Sequence, residues 1–184
     1  GGLIEVIAGA NIELDIVDAG TTGAIELSAA QDISESSTGD LTADIIANSV
    51  LLYATTGNID LDSEVAVLTA AAVAGSVTIS QGARNQNPID GNTDTLEILR
   101  IFSRDAIMID ATSKIKANYI EATSGGLTIR TDNALHSSES FDVQLGNVAS
   151  PQFITVEADG SVSSFEPDFG EPTITSPTPP PPVA

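Results

Sequence analysis

Residues 41–80 read LTADIIANSVLLYATTGNIDLDSEVAVLTAAAVAGSVTIS, and this stretch decides the fold. LTADII, SVLLYA, NIDLDS and, after VAVLTAAAVAG, SVTIS are short apolar or alternating runs, each closed by small or polar residues. A chain that restarts the same strand-and-turn unit about every 20 residues is a solenoid, because one unit cannot bury its apolar face alone and needs a neighbour stacked on it. Ile45, Val50, Leu52, Ile59, Leu61, Val65, Val67, Val77 and Ile79 are the expected core positions, with Gly57 and Gly75 at corners. The Ala-rich run at 65–74 competes as a helix, but ten uncapped residues between two strands favour strand.

The same texture extends in both directions. Upstream, Ile4 and Val6 alternate with Glu5, Ile12, Leu14 and Ile16 with Glu13 and Asp15, and Ile25 and Leu27 with Glu26, so aliphatics share one face and carboxylates the other. One rung apart, Glu13 and Glu26 are expected to come close enough to repel unless solvent or a cation spaces them. Downstream, QGARNQNPIDGNTDT at 81–95 interrupts the pattern as a projecting loop, the usual seat of binding on a rigid scaffold. Strand runs then resume as LEILRIF, AIMID, KIKANYIEA, GLTIRT, FDVQL, QFITVEA and SVSSF. From Glu166 the character changes: seven of the nine prolines fall in 166–184, and proline cannot donate to a sheet ladder. The expectation is a β-solenoid domain over 1–165 and an extended tail or linker over 166–184, with polyproline II geometry in PTPPPP and TIT at 173–175 able to add to a sheet edge.

Composition agrees with stacked aliphatics. Hydrophobic residues make up 41% of the 184 but aromatics only 4%, and tryptophan is absent, whereas a sandwich core is usually anchored by rings. Tyr53, Phe102, Tyr119, Phe141 and Phe153 fall inside strand runs and are read as core or corner fillers rather than sugar platforms. Without cysteine there is neither a disulfide framework nor a thiolate metal site. The formal net charge of −20 argues against nucleic acid and anionic membrane as partners. All six basic residues lie between Arg84 and Arg130, so two acidic ends flank a balanced middle. The longest apolar run is too short to span a bilayer, and no transmembrane segment is expected. The chain opens as GGLIEVIAGANIEL, already in strand pattern and without an initiator methionine or a basic-then-apolar signal pattern, so the expectation is an excerpt from a longer protein, with removal of a signal segment as the alternative.

The repeats IIANSVLLYATTGNIDLDSEVAVLTAAAVAGSVTIS, with TTGAIELSA before and SGGLTIRTDNAL after, resemble those of filamentous-haemagglutinin-like exoproteins of the two-partner-secretion type. The resemblance covers the texture of residues 1–165, without the family's N-terminal secretion domain. It implies a right-handed parallel β-helix and a structural or adhesive rod, secreted and displayed on a bacterial cell surface. It implies as partners other coils of a longer chain or other copies stacked head to tail into filaments, and a polysaccharide or a host or cell surface.

Two chemistries compete with a passive rod. Asp90, Asn92, Asp94 and Glu97 in DGNTDTLE alternate oxygen donors as a calcium loop does, so Ca²⁺ is the one candidate cofactor. Thr95 stands where such a loop has glycine and Ile101 where it has its last glutamate, which favours a plain polar turn. Asp60, Asp62 and Glu64 form a weaker set on one outward face. The other chemistry is that of β-helical polysaccharide lyases and hydrolases. Asn92, Thr93 and Asp94 followed by Lys114, Ile115 and Lys116 resemble polygalacturonase motifs, but the paired aspartates and Gly-His-Gly of that family are missing. Arg100, Arg104, Lys114, Lys116 and Arg130 among Asp105, Asp110 and Glu121 are expected to form cross-rung ion pairs instead. His136, the single histidine, sits in a turn sequence, and no G-x-S-x-G or phosphate loop occurs. No catalytic residue is assigned, and the chain is read as a non-enzyme.

Overall fold

A computed structural model describes residues 1–36, 43–82, 95–132 and 141–166. The described residues are all strand and turn, and every strand pairing is parallel. The strands are β1 Leu3–Ala8, β2 Ile12–Leu14, β3 Val17–Ala29, β4 Ile33–Glu35, β5 Ile45–Ala54, β6 Ile59–Ala72 and β7 Val77–Gln81. They continue as β8 Thr95–Ser103, β9 Ile107–Ala111, β10 Lys114–Ala122, β11 Leu127–Thr131, β12 Val143–Ala149, β13 Ile154–Glu157 and β14 Val162–Ser164. One sheet of 14 strands winds round a single core, the arrangement of a parallel β-helix. Among the described residues no helix is long and apolar enough to cross a membrane.

Each turn of the coil has three faces, and burial shows where the chain bends. Along β5 the buried residues are Ile45 and Ala47, then Val50, Leu52 and Ala54. Two adjacent outward residues, Asn48 and Ser49, mark the corner without interrupting the strand. β8 bends in the same way at Leu99 and Arg100, and β10 at Asn118 and Tyr119. The first face stacks β1, the ends of β3, β5, β6, β8 and β10, and residues 147–149 of β12. The second stacks β2, β4, the start of β6, β7, β9, β11 and β13. The third stacks the starts of β3, β5, β8, β10 and β12, the middle of β6, and β14.

Inside, like stacks on like. Ile12, Ile33, Ile59, Val77, Ile107 and Leu127 form one buried column. Ala8, Ala29, Ala54, Ala72, Ser103 and Ala122 form another at the edge of the first face, where a small side chain lets the chain turn. Ser103 fits because its Oγ donates to the Gly75 carbonyl at 2.7 Å. At the corner between first and second faces, side-chain oxygens satisfy the backbone of the turn above. Asn11 Oδ1 accepts from Asp32 N at 3.2 Å, Asp32 Oδ1 from Asn58 N at 2.7 Å, and Asn58 Oδ1 from Ser76 N at 2.9 Å. Gly57 and Gly75 sit at this corner as expected, and a Cβ on Gly75 would collide with the Gly57 carbonyl.

The strand reading of 65–74 holds, since β6 runs unbroken through Ala72. Eight of the nine expected core residues are buried, and Val67 is the exception. β6 bends after Val65, so Leu68 faces the core and Val67 is left half-buried. Glu13 and Glu26 do not meet: Glu13 stacks on Ser34 of the second face, whereas Glu26 stacks on Glu5 of the first. The turns are also unequal in length. Val6, Leu27, Leu52, Ala70, Ile101, Ile120 and Val148 occupy equivalent places on the first face, at intervals that alternate between about twenty residues and about twenty-five to thirty. The extra residues always enter between the second and third faces, after β4, β7 and β11. A stack accommodates them there because each insertion leaves the strands above and below in register.

Candidate functional site

The second face carries the most informative outward column. NIDLD, VTISQ, IMIDA, LTIRT and ITVEA follow one another up the stack. Their fourth residues, or fifth in NIDLD, place Asp62, Ser80, Asp110, Arg130 and Glu157 in line. Rungs are about 4.8 Å apart, so each side chain has those of the rungs directly above and below as its neighbours. Arg130 Nε lies 2.9 Å from Glu157 Oε2 and 3.9 Å from Asp110 Oδ1, bridging two carboxylates two rungs apart. Ser80 separates Asp110 from Asp62. Beside this column Asp60 stacks between Ser34 and Thr78. Its carboxyl is held above the usual range, first by desolvation and then by the charge of Asp62.

Where this column meets the corner between the second and third faces, a groove of about 620 Å³ opens. Asp62, Glu64, Asp110, Arg130, Asp132 and Glu157 supply its charges, and Ser63, Ser80, Gln81, Thr112 and Thr131 its neutral polar groups. Ala43, Gly82 and Asp132, also in the lining, adjoin the three internal segments outside the described residues. The polar floor is built rather than incidental. The Gln81 amide donates to the Val65 carbonyl at 2.9 Å and accepts from Val65 N at 3.4 Å and from Ser63 Oγ at 2.8 Å. Val65 pairs with Ala47 below, but β8 joins β6 above only from Val67 onward, so the glutamine takes the place of the missing peptide. Asp44 is buried at the same corner and accepts from Asp62 N at 2.9 Å. Ser113, next to Thr112, is buried, and its Oγ has no hydrogen-bond partner among the described residues.

Of the expected calcium ligands, Asp90, Asn92 and Asp94 lie outside the described residues. Glu97 is in β8, 3.3 Å from Lys116 Nζ one rung above. Asp60, Asp62 and Glu64 share one outward side, but among the described residues no group of three or more acidic or histidine side chains is arranged to hold a metal ion. Lys116 and Arg130 make the cross-rung ion pairs expected of the central basic cluster. Arg100 instead lies over the Tyr119 ring, 5.4 Å from its centre, and Lys116 lies 5.7 Å from that of Phe165. Glu121 accepts the Tyr119 hydroxyl hydrogen bond. Lys114 is close enough to Asp142 to add to the lowering of its carboxyl, which comes first from the Ser161 backbone and then from the Ser161 hydroxyl. His136 is outside the described residues.

The rings depart from the expectation of filler. Phe141 is buried, but Tyr53 is 41% and Phe153 54% exposed, and Phe102 and Tyr119 are half-buried with outward side chains. A strand presents alternate residues to opposite sides, and Tyr53 falls on the outward parity after the bend at Asn48 and Ser49. Aligning the five second-face motifs with one another is the signal in the sequence that locates the groove column. Comparison with protein-family models, with curated proteins and with solved structures finds no match.

Proposed function

We propose that the chain is a structural or adhesive rod segment of a secreted bacterial cell-surface protein. In this reading residues 1–165 wind as a right-handed parallel β-helix, the hand that parallel crossovers favour, and 166–184 continue as an extended proline-rich segment. The observation that carries it is the pair of open ends. Among the described residues β1 and β2 pair only with the turn above, and β13 and β14 only with the turn below. Leu3, Val6 and Ile7 are exposed at one end and Phe153, Ile154 and Val162 at the other. Open parallel edges with apolar borders call for a further rung, from a longer chain or from another copy. Copies joined head to tail make a heterologous contact, which propagates as a filament.

Light scattering across a concentration series tests this: the mass of the intact chain rises with concentration, and Ile7→Pro lowers the rise, because the carbonyls of Gly2 and Ala8 face β3 and the alternate residue Ile7 therefore presents its N–H to the open edge. A monomer mass throughout, with millimolar calcium present as well, overturns it. Calcium binding through Asp90, Asn92, Asp94 and Glu97 belongs to the same proposal, and calcium then raises the melting temperature in the parent but not in Asp90→Ala or Asp94→Ala.

The groove favours a second reading, a polysaccharide-binding surface. Its mix of carboxylates, one guanidinium and neutral hydroxyls matches the hydrogen-bonding needs of a polyhydroxylated chain. Glycan-array binding that disappears in Arg130→Ala supports it, and binding unchanged in that variant removes the groove from the account.

A further inference from the structure

The first face carries an apolar, ring-bearing patch on its outer side. Leu51, Thr69 and Arg100 stack in one outward column and Tyr53, Ala71 and Phe102 in the next. Leu51, Tyr53 and Leu99 are each more than 40% exposed. The middle rung offers only Thr69 and Ala71, so it forms a low floor between Tyr53 on one side and Phe102 on the other. Tyr119, with Arg100 over its ring, extends the patch one rung beyond Phe102.

We propose that this face is the docking site of the chain's own proline-rich segment, Pro177–Pro182. The two repeats match. Tyr53 and Phe102 are two rungs apart in one column, about 9.6 Å. A polyproline II helix, the conformation that proline's fixed φ favours in a sequence such as PTPPPP, advances about 9.3 Å in each turn of three residues. Prolines three apart, such as Pro179 and Pro182, therefore meet successive rings when the segment lies along the stack. Aromatic-lined surfaces bind such helices because the ligand is already ordered and presents flat pyrrolidine faces.

Charge and reach agree with this occupant. Segment 166–176 carries Glu166, Asp168 and Glu171 and no base, whereas Arg100 and Arg104 are exposed beside the rings. β14 occupies the third face of the last turn, and the first face is next in the winding order. Phe102 lies three turns below β14, about 14 Å, and Tyr53 five turns, about 24 Å. The ten residues 167–176 extend to about 30 Å, enough to bring Pro177 to either ring. The proposal does not depend on the rod reading, since it concerns contacts within one chain.

Nuclear magnetic resonance on the intact, isotopically labelled chain tests it. Nuclear Overhauser contacts join proline ring protons to the Tyr53 and Phe102 rings. They vanish, and the ring resonances move, when Pro179, Pro180, Pro181 and Pro182 are replaced by serine; Phe102→Ala separately abolishes the proline contacts. Absence of these contacts in the parent overturns the proposal. Contacts seen only between differently labelled copies in a mixed sample overturn it in favour of a second copy. Ring resonances indifferent to the proline substitutions but shifted by cellohexaose overturn it in favour of a glycan.

Discussion

Replacing Gln81 by leucine tests whether one side chain stands in for a missing length of strand. In the parent, the Gln81 amide bonds both the N–H and the C=O of Val65 and takes the Ser63 hydroxyl hydrogen, and Gln81 and Ser63 are both buried. Leucine has similar volume but neither donor nor acceptor, so the backbone groups of Val65 and the Ser63 hydroxyl lose their partners with no space opened for water. At roughly 1–3 kcal/mol for each stranded group, with some relief from the neighbouring groove, Gln81→Leu costs about 3–5 kcal/mol. For a chain of this size that lowers the melting temperature by about 6–20 °C. Gln81→Ala, which opens a water-sized space beside the groove, costs about 1–3 kcal/mol. Gln81→Glu keeps the acceptor but turns an oxygen towards the Val65 carbonyl. Its deficit shrinks as pH falls and the carboxyl gains a proton to donate. Urea unfolding followed by circular dichroism, with hydrogen exchange at the Val65 amide, reads all three. Leucine as stable as glutamine, or an unchanged exchange rate at Val65, refutes the surrogate-peptide reasoning.

Asn58→Ala removes the acceptor of the Ser76 amide and shifts the urea midpoint downward by an amount equivalent to about 1 kcal/mol. Gly75→Ala forces a methyl group against the Gly57 carbonyl and costs more than about 2 kcal/mol, whereas Gly9→Ala, with open space around it, stays within about 0.5 kcal/mol by the same assay. Ser113→Ala deletes a buried hydroxyl that has no partner among the described residues and stabilises by up to about 1 kcal/mol; a loss of stability in thermal unfolding would mean that the hydroxyl is bonded. Two carboxyls give opposite pH signatures. Asp142, depressed by its bonds from Ser161, contributes stability that is present above its unfolded value and lost as pH falls through the folded one, so Asp142→Asn flattens the acid limb of a stability profile. Asp60, raised by desolvation, is favourable in acid and loses that advantage as pH rises through its folded value, so Asp60→Asn stabilises at neutral pH and the gain fades in acid.

Alternation made most of the coil legible, because a buried Ile or Val between outward polar residues has one reading wherever the strand is straight. The bend was not legible. Nothing in DSEVAVLTAAA marks the place where two adjacent residues face outward, since the corner is made by a phase slip within a strand and not by glycine or proline. That slip moved the core position from Val67 to Leu68. Tyr53 departs from expectation for a related reason: a ring inside an apolar run looks internal until the phase after Asn48 and Ser49 is known. Cross-rung partners depend on turn length, which alternates here. A uniform period therefore could not place Glu26 against Glu5, nor bring Asp62, Asp110, Arg130 and Glu157 into one line.

The alternation of register also explains how a net charge of −20 is compatible with parallel in-register stacking, which brings equivalent residues together. In water at physiological salt, two carboxylates one rung apart repel by roughly 0.5 kcal/mol and two rungs apart by roughly 0.1 kcal/mol, because the second distance exceeds the Debye length of about 8 Å. Across rungs, the paired strands keep nearly all stacked carboxylates at the second distance or beyond. Ser80 separates Asp62 from Asp110, Arg130 separates Asp110 from Glu157, and Ile46 separates Asp18 from Glu64. Glu97 is followed by Lys116, and Glu26 by Leu51. Where the corner brings Asp44 next to Asp62, Asp44 turns inward and its carboxylate takes the Asp62 amide hydrogen. Within the paired strands of the described residues, Glu5 on Glu26 is the one directly stacked acidic pair, and it lies in the first two turns. Elsewhere the outward columns interpose a neutral or basic rung between acids, so an acidic surface is carried without the repulsion that a simple repeat of one acidic motif would impose.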